Sequence, residues 1–361
     1  MIHIFLGTKA QLIKMAPIMR QLQKRNIEYN FVFSGQHQAT INDIQSEFGI
    51  KKPDYVLYRG PDITGIFQML IWSLKVLSHT LRHKEKVWKG DQQGIVLNHG
   101  DTFSTLLGAL TARISGLKSA HVESGLRSFN IFHPFPEEVT RRAVFQLSSI
   151  FYAPGDWAIE NLKSYSGEKI NTHQNTLRDA LSLAQSQIES CSVQIPQQSY
   201  GIISIHRFEN LFFESRLKKI ISIIDHLSQK SHLLFILHKP TEKKLKQYGL
   251  LEKLADNPNI ELRPRYSYFE FIKLVKQSRF VITDGGSNQE ECFYLGKPCL
   301  IMRKATERQE GIGLNAVISS YDKDVCEEFI DGLQSRTIPE NVIPTSPTDI
   351  IIDHLALSTN Q

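Results

Sequence analysis

The sequence predicts an α/β protein made of two doubly wound parallel-sheet halves that face each other across a cleft. Three observations predict it. Short apolar runs alternate with segments of helical spacing, the pattern of a parallel sheet with crossover helices. The alternation stops in a polar stretch at about 167–200, then restarts. A chain of 361 residues with 41% hydrophobic composition also has enough apolar mass for two cores of ordinary domain size.

In the first half, Ile2, His3, Ile4, Phe5 and Leu6 read as a strand and Gly7-Thr8 as a turn. Leu12, Met15, Ile18, Met19 and Leu22 then share one face of a helix. The same βα unit recurs at 95–97 with 103–114, at 119–122 with 136–147, and at 150–152 with 157–162. One helix is expected near 177–188 within the polar stretch. The second half brings strands at 202–205, 233–237, 260–262, 280–283 and 299–302, all but the last followed by helical spacing. The expected organisation is a first domain at 1–168, a linker at 169–200 and a second domain at 201–340. Residues 341–361 end in a helix that crosses back to the first domain.

Composition excludes several classes. A net charge of +5, from 42 basic and 37 acidic residues scattered along the chain, does not suggest nucleic acid but suits a small anionic ligand. The cysteines at 191, 292, 299 and 326 form no CxxC pair and no metal-like spacing with histidine, so they read as reduced core thiols of a cytoplasmic protein. No signal peptide is read before the first strand. The longest apolar stretch, 63–81, is interrupted by Gln68, Ser73, Lys75 and His79 and is too polar to span a bilayer. Its stripe of Ile66, Phe67, Leu70, Ile71, Leu74, Leu77 and Leu81 can pack on its own domain or on another subunit; its own domain is the expectation.

The run Thr283-Asp284-Gly285-Gly286-Ser287-Asn288-Gln289-Glu290-Glu291 carries the most chemistry. Two glycines and a serine between a strand and a helix leave uncrowded N–H groups at the positive end of a helix dipole, a seat for phosphate. Glu290 and Glu291, one turn further on, would repel phosphate but could hold ribose hydroxyls, which suggests a nucleotide.

Ligands of such sheets bind beyond the carboxyl ends of the strands. The residues there are Gly7-Thr8-Lys9 with Lys14, His99-Gly100-Asp101-Thr102, Glu123, Pro136-Glu137-Glu138 and His206-Arg207. Each has a plainer alternative. Lys14 can be a solvated helix lysine, Asp101 a helix N-cap, and Glu137 with Glu138 a complement to the dipole of a first turn. Glu123, directly after a strand and before Ser124-Gly125, is neither a cap nor an obvious ion-pair partner.

These segments resemble the non-hydrolysing UDP-N-acetylglucosamine 2-epimerases, whose GT-B fold pairs two Rossmann-like domains. The likeness runs from the first strand to about Ala316. It rests on Gly7-Thr8 with Ile13-Lys14-Met15-Ala16-Pro17, on Gln36-His37, His99-Gly100-Asp101-Thr102 and on His121-Val122-Glu123-Ser124-Gly125-Leu126-Arg127. It continues through Pro134-Phe135-Pro136-Glu137-Glu138 with Arg141, His206-Arg207 with Glu209-Asn210, Gln289-Glu290-Glu291, Leu295-Gly296-Lys297-Pro298 and Thr306-Glu307-Arg308.

The resemblance implies inversion of C2 of a UDP-N-acetylhexosamine by elimination of UDP to a glycal and re-addition, without a redox cofactor. It implies that Asp101, Glu123 and Glu137 handle the proton and the positive charge at the anomeric centre. Gly285, Gly286, Ser287, His206, Arg308, Lys9 and Lys14 would meet the pyrophosphate, Glu291 the ribose and Phe271 the uracil, although Phe269 and Phe271 can equally be core. It further implies a homodimer supplying precursors of surface polysaccharide. A glycosyltransferase or hydrolysing relative using a UDP-sugar, or a non-catalytic sensor, are the alternatives.

The chain departs from the family pattern mainly on the nucleotide side. Lys9-Ala10-Gln11 replaces arginine, proline and glutamate, and Asp284-Gly285-Gly286-Ser287 replaces Asp-Ser-Gly-Gly. Gln174-Asn175-Thr176 stands for Gly-Asn-Thr, Gln309 for proline, and His238-Lys239-Pro240-Thr241 for His-x-Asn-Pro. Retention of all three carboxylates points to the same chemistry, on UDP-N-acetylglucosamine or a modified sugar.

Overall fold

Runs such as Ile2–Leu6 and Ile150–Ala153 are buried along their whole length, as strands covered on both faces by helices must be. A computed structural model of the protein describes residues 1–37, 41–63, 65–131, 136–339 and 345–359. Pro134 and Phe135 of the family-like motif lie outside the described residues. The chain forms two units, Met1–Leu183 with Pro344–Gln361, and Ala184–Ile343.

The first unit holds strands β1 (Ile2–Leu6), β2 (Tyr29–Phe33), β3 (Tyr55–Val56), β4 (Ile95–His99), β5 (Lys118–Val122), β6 (Ile150–Ala153) and β7 (Glu168–Asn171). Its helices are α1 (Lys9–Lys24), α2 (Ile41–Phe48), α3 (Ile66–Arg82), α4 (Lys84–Val87), α5 (Phe103–Ile114), α6 (Glu137–Leu147) and α7 (Asp156–Asn161). Helix α8 (Leu177–Gln187) follows at the boundary. The strand order is β3-β2-β1-β4-β5-β6-β7, with every pairing parallel. Strand order reverses between the paired β1 and β4, where the connections leaving the two carboxyl ends run in opposite directions, the usual place for a ligand in such a sheet.

The second unit holds β8 (Tyr200–Ser204), β9 (His232–Leu237), β10 (Ile260–Pro264), β11 (Phe280–Thr283), β12 (Cys299–Ile301) and β13 (Ala316–Ile318). Its helices are α9 (Phe208–Leu211), α10 (Glu214–Leu227), α11 (Lys239–Gln247), α12 (Leu251–Ala255), α13 (Tyr268–Gln277), α14 (Gly286–Tyr294), α15 (Lys323–Asp331) and α16 (Leu333–Arg336). The parallel order β10-β9-β8-β11-β12-β13 reverses between β8 and β11.

Four strands escape the sequence reading, and each has a physical reason. In β2 the apolar run is broken by Asn30, which is buried because its amide pairs with His3 Nδ1 at 2.9 Å and the Val87 carbonyl at 2.8 Å. Strand β7, Glu-Lys-Ile-Asn, lies at the sheet edge and is only partly covered, so a polar composition costs little there. Strands β3 and β13 span two and three residues, too short for a period to show.

The apolar stripe of α3 does not pack inward. Trp72 and Val76 fill the core on one side of the helix, while Phe67 and Leu74 are 75% and 68% exposed and Leu70, Ile71 and Leu81 share their face. The helix thus carries two apolar faces, and a stripe read by period alone mixes them. Among the described residues no helix is long and apolar enough to cross a membrane.

The last helix, α17 (Pro347–Thr359), packs on α1 within the first unit. Asp179 Oδ2 accepts from Thr348 N at 2.9 Å, Arg25 reaches Asp349 at 2.8 Å, and Tyr152 Oη meets His354 Nδ1 at 2.8 Å. Its fully buried Ile351, Ile352 and Leu355 carry the energy, since exposed ion pairs add little. Ile352→Ala should therefore cost about 2–5 kcal/mol in urea unfolding of the first unit, whereas Arg25→Ala should cost less than about 1 kcal/mol.

Candidate active site

The turn after β1 admits only glycine at its first position, because a Cβ on Gly7 would lie 2.1 Å from Ser34 Oγ and 2.3 Å from Ser104 Oγ. Thr8 caps α1, and Gln11 at the third helical position completes a capping box. Gln11 then spans the gap between β1 and β4. Its Oε1 accepts from Gly7 N at 2.9 Å, and its Nε2 donates to the His99 carbonyl at 2.7 Å and Thr105 Oγ1 at 2.8 Å. An amide has both donors and acceptors for this strut; the glutamate of the family pattern would lack the donors.

One turn further, Lys14 is buried, so the solvated reading fails. Its ammonium sits on Glu123 Oε2 in an ion pair whose two side chains are each 5% exposed. Glu123, which the sequence does not mark as an obvious ion-pair partner, is thus one. Lys14, expected on the pyrophosphate, is engaged by the Glu123 carboxylate. Asn175, after β7, donates its Nδ2 to the same oxygen. Glu123 adopts φ +63°, a left-handed conformation that costs a non-glycine residue about 1–3 kcal/mol and persists only when its surroundings enforce it.

Asp101 is not the cap of α5. Thr102 takes that role with Thr105 in a capping box, and Asp101 Oδ2 accepts from Arg141 Nη2 at 2.6 Å. The turn before it is held by His121, whose Nε2 donates to the carbonyl of Gly100 at 2.7 Å where Gly100 has φ +71°. Glu137 and Glu138 open α6 as the sequence suggests, yet their environments differ. Glu138 is a strut, accepting from Arg127 Nε at 2.5 Å and Ser128 N at 2.9 Å and lying 3.5 Å from Arg141 Nη1. Glu137 is half-buried at the first helical position, where the dipole favours its charge. Lys9, also half-buried, opens α1.

Burial lowers the pKa of His99 to about 3 and that of His121 to about 4, although Glu123 acts to raise both. Both imidazoles are therefore neutral at pH 7.

In the second unit, α14 starts at Gly285, which has no side chain to cap the first turn, while Gly285 N itself donates to Thr283 Oγ1 at 3.0 Å. Ser287 is half-buried there. Asp284 is structural. It accepts from His206 N at 2.9 Å, Arg207 N at 3.0 Å and Asn210 Nδ2 at 2.9 Å, and so fastens the His206 loop beside the seat. The His206 ring stacks on His238 with centroids 4.6 Å apart and packs so closely that a Cβ on Gly285 would lie 2.8 Å from its Cε1. Burial lowers the pKa of His206, with Arg207 and Arg265 adding to the shift and Asp284 opposing it. The neutral imidazole is thereby favoured over the cation.

Arg308 lies over the start of α14, where a Cβ on Gly286 would meet its Nε at 2.9 Å. It is held there by Glu290 Oε2 at 2.6 Å from Nη1, and Tyr294 Oη donates to Glu290 at 3.0 Å. Glu290 is therefore the counter-ion of Arg308, while Glu291 accepts from Asn288 Nδ2 at 2.9 Å. Phe271 is half-buried in the first turn of α13. Sequence reasoning missed Gln11 and Asn175 as members of the site; the only signal was that both fall among the departures or motifs at strand ends.

A model of the family "UDP-N-acetylglucosamine 2-epimerase" matches residues 20–340. The chain belongs to that family. It is 34% identical to UDP-N-acetylglucosamine 2-epimerase of Methanococcus maripaludis over 334 residues, covering 88% of this chain and 87% of the relative. It is 31% identical to UDP-2,3-diacetamido-2,3-dideoxy-D-glucuronate 2-epimerase of Pseudomonas aeruginosa, covering 93% of each. The crystal structure of Methanocaldococcus jannaschii UDP-GlcNAc 2-epimerase in complex with UDP-GlcNAc and UDP superposes with a TM-score of 0.85 at 27% identity, covering 99% of both chains.

The two neutral histidines set a pH dependence. In the unfolded chain they titrate near 6.5, so between that pH and about 4 the unfolded state binds protons that the folded state refuses. Stability is then complete above this window and falls as pH is lowered through it. The melting temperature should drop steadily from pH 7 to 4.5, less steeply in His99→Gln. A flat profile in the unmodified protein would refute the buried neutral state.

Proposed function

We propose that this protein is a non-hydrolysing epimerase that inverts C2 of a UDP-N-acetylhexosamine, interconverting UDP-N-acetylglucosamine and UDP-N-acetylmannosamine or modified forms of them. The observation that carries the reading is the buried Glu123 carboxylate, held by Lys14 beside the turn that bears Asp101. The C2 proton has no adjacent carbonyl to acidify it, so the C1–O bond must break ahead of its removal. Positive charge then develops at the anomeric centre, and a fixed carboxylate stabilises it electrostatically. The electron pair of C2–H forms the C1–C2 double bond of a glycal as a base takes the proton and UDP departs. Re-addition of UDP at C1, with a proton delivered to the other face of C2, completes inversion. Glu123 suits the standing charge, while Asp101 and Glu137 serve the proton transfers.

On the second unit, the uncapped start of α14 at Gly285, Gly286 and Ser287, with Arg308 above it, receives the pyrophosphate. His206 assists there, Glu291 takes the ribose, and Phe271 lies against uracil. The Pseudomonas aeruginosa relative is an epimerase of a UDP-linked diacetamido sugar acid, which makes such sugars the second group of substrates to test. A UDP-sugar enzyme with free cysteines, three of them buried, fits a cytoplasmic supplier of polysaccharide precursors.

Incubation with UDP-N-acetylglucosamine in deuterated water should place deuterium at C2 with UDP still attached. Release of free N-acetylmannosamine would replace this reading with hydrolysis, and an unchanged spectrum with a glycosyltransferase. Asp101→Asn should abolish the exchange while UDP affinity stays within about tenfold, roughly 1.4 kcal/mol.

The exposed apolar face of α3 supports a homodimer, because a contiguous patch of Phe67, Leu70, Ile71 and Leu74 is costly to leave in water. Light scattering should give the mass of a dimer for the unmodified chain and of a monomer for Leu74→Asp.

A further inference from the structure

We propose that Asn175 is a positioning residue for this chemistry, aiming the Glu123 carboxylate through a hydrogen bond that its own helix cap makes directional. The proposal rests on the reading of Glu123 as the carboxylate that faces the reacting sugar. Asn175 is buried at the turn between β7 and α8. Its Oδ1 accepts from Leu177 N, the first residue of α8, at 3.2 Å and from Thr176 Oγ1 just before it at 3.4 Å. The oxygen is therefore committed to the start of that helix, and the planar amide must turn its nitrogen the other way, onto Glu123 Oε2.

Lys14 shares that oxygen but cannot set its direction, because an ammonium on a four-carbon stem is a rotatable point charge. The amide is a fixed donor. Together they hold Oε2, and Oε1 is directed to the β4–α5 turn, where a Cβ on Gly100 would lie 3.6 Å from it. Asp101 follows in that turn. The left-handed backbone of Glu123 is the kind of conformation that needs side-chain anchoring of this sort.

The groups facing Glu123 include Lys14 from α1, His99 from β4 and His121 from β5, with Asp101 acting on the same two histidines and Arg141 from α6 acting on His121. With both imidazoles neutral at pH 7, the positive charge comes from Lys14. A donor at position 175 is compatible with a charged Glu123; a second carboxylate there is not, unless a proton is shared between the two.

Asn175→Asp separates capping from positioning, because aspartate caps a helix as well as asparagine does. Its melting temperature should stay close to that of the unmodified protein. Turnover at pH 7.5, read as deuterium exchange at C2, should fall about 100-fold, with KM within about threefold. Activity should recover as pH is lowered and the shared proton restores a donor, so the pH–rate profile moves toward acid. Asn175→Ser, which still caps but is too short to reach Glu123, should lose turnover without moving the profile. Unmodified turnover and profile in either variant would overturn the proposal, as would unfolding of both, which would make the cap the whole role. Glu123→Gln is the control on the underlying reading. If it keeps full exchange, that reading fails; if it abolishes exchange while Asn175→Asp does not, positioning alone fails.

Discussion

A buried carboxylate at the end of β5 needs a counter-charge, and the first unit is arranged around that requirement. Removing one partner from a buried pair such as Lys14–Glu123 leaves an uncompensated charge, at a cost of about 3–5 kcal/mol. Lys14 can reach Glu123 only if α1 starts directly above the switch between β1 and β4. That in turn requires Gly7 at the turn and the Gln11 strut across the gap. Asp101 is placed by the same device one strand over, with Arg141 as its cation and His121 fastening the turn that precedes it.

The second unit solves the opposite problem. Its α14 begins at a glycine with no side chain to cap the first-turn donors that follow it, whereas α1, α5 and α13 are capped by Thr8, Thr102 and Ser267. Acidic residues close by are kept from opposing an anion by being committed elsewhere. Asp284 is spent on the His206 loop and Glu290 on Arg308. A fully buried Arg303 ties Glu209 and Glu307 into the same loop, at 2.9 and 3.0 Å. The rearranged Asp284-Gly285-Gly286-Ser287 turn is explained here, since the His206 ring occupies the space that a side chain at position 285 would need.

Periodicity made the covered central strands legible because they are apolar on both faces, and the family-like motifs fell where such strands end. It was blind to β7, whose edge position tolerates Glu168 and Lys169, and to β2, whose Asn30 is satisfied by groups distant in sequence. It also misjudged α3. A helix with a core face and an exposed apolar face has the same period as one with a single broad stripe, so spacing cannot show that Trp72 turns inward and Phe67 outward.

The sequence alone determined the parallel two-sheet architecture, the family and the identity of the candidate carboxylates, because these depend on local period and on short motifs at strand ends. Tertiary structure decided what each charged group faces. That Lys14 meets Glu123, that Thr102 and not Asp101 caps α5, and that Asn175 reaches Glu123 all involve contacts spanning many residues or choices between neighbours. The physical reason is that a charge buried in a low-dielectric interior is governed by whichever partner the fold brings within hydrogen-bond reach, and sequence spacing carries no record of that distance.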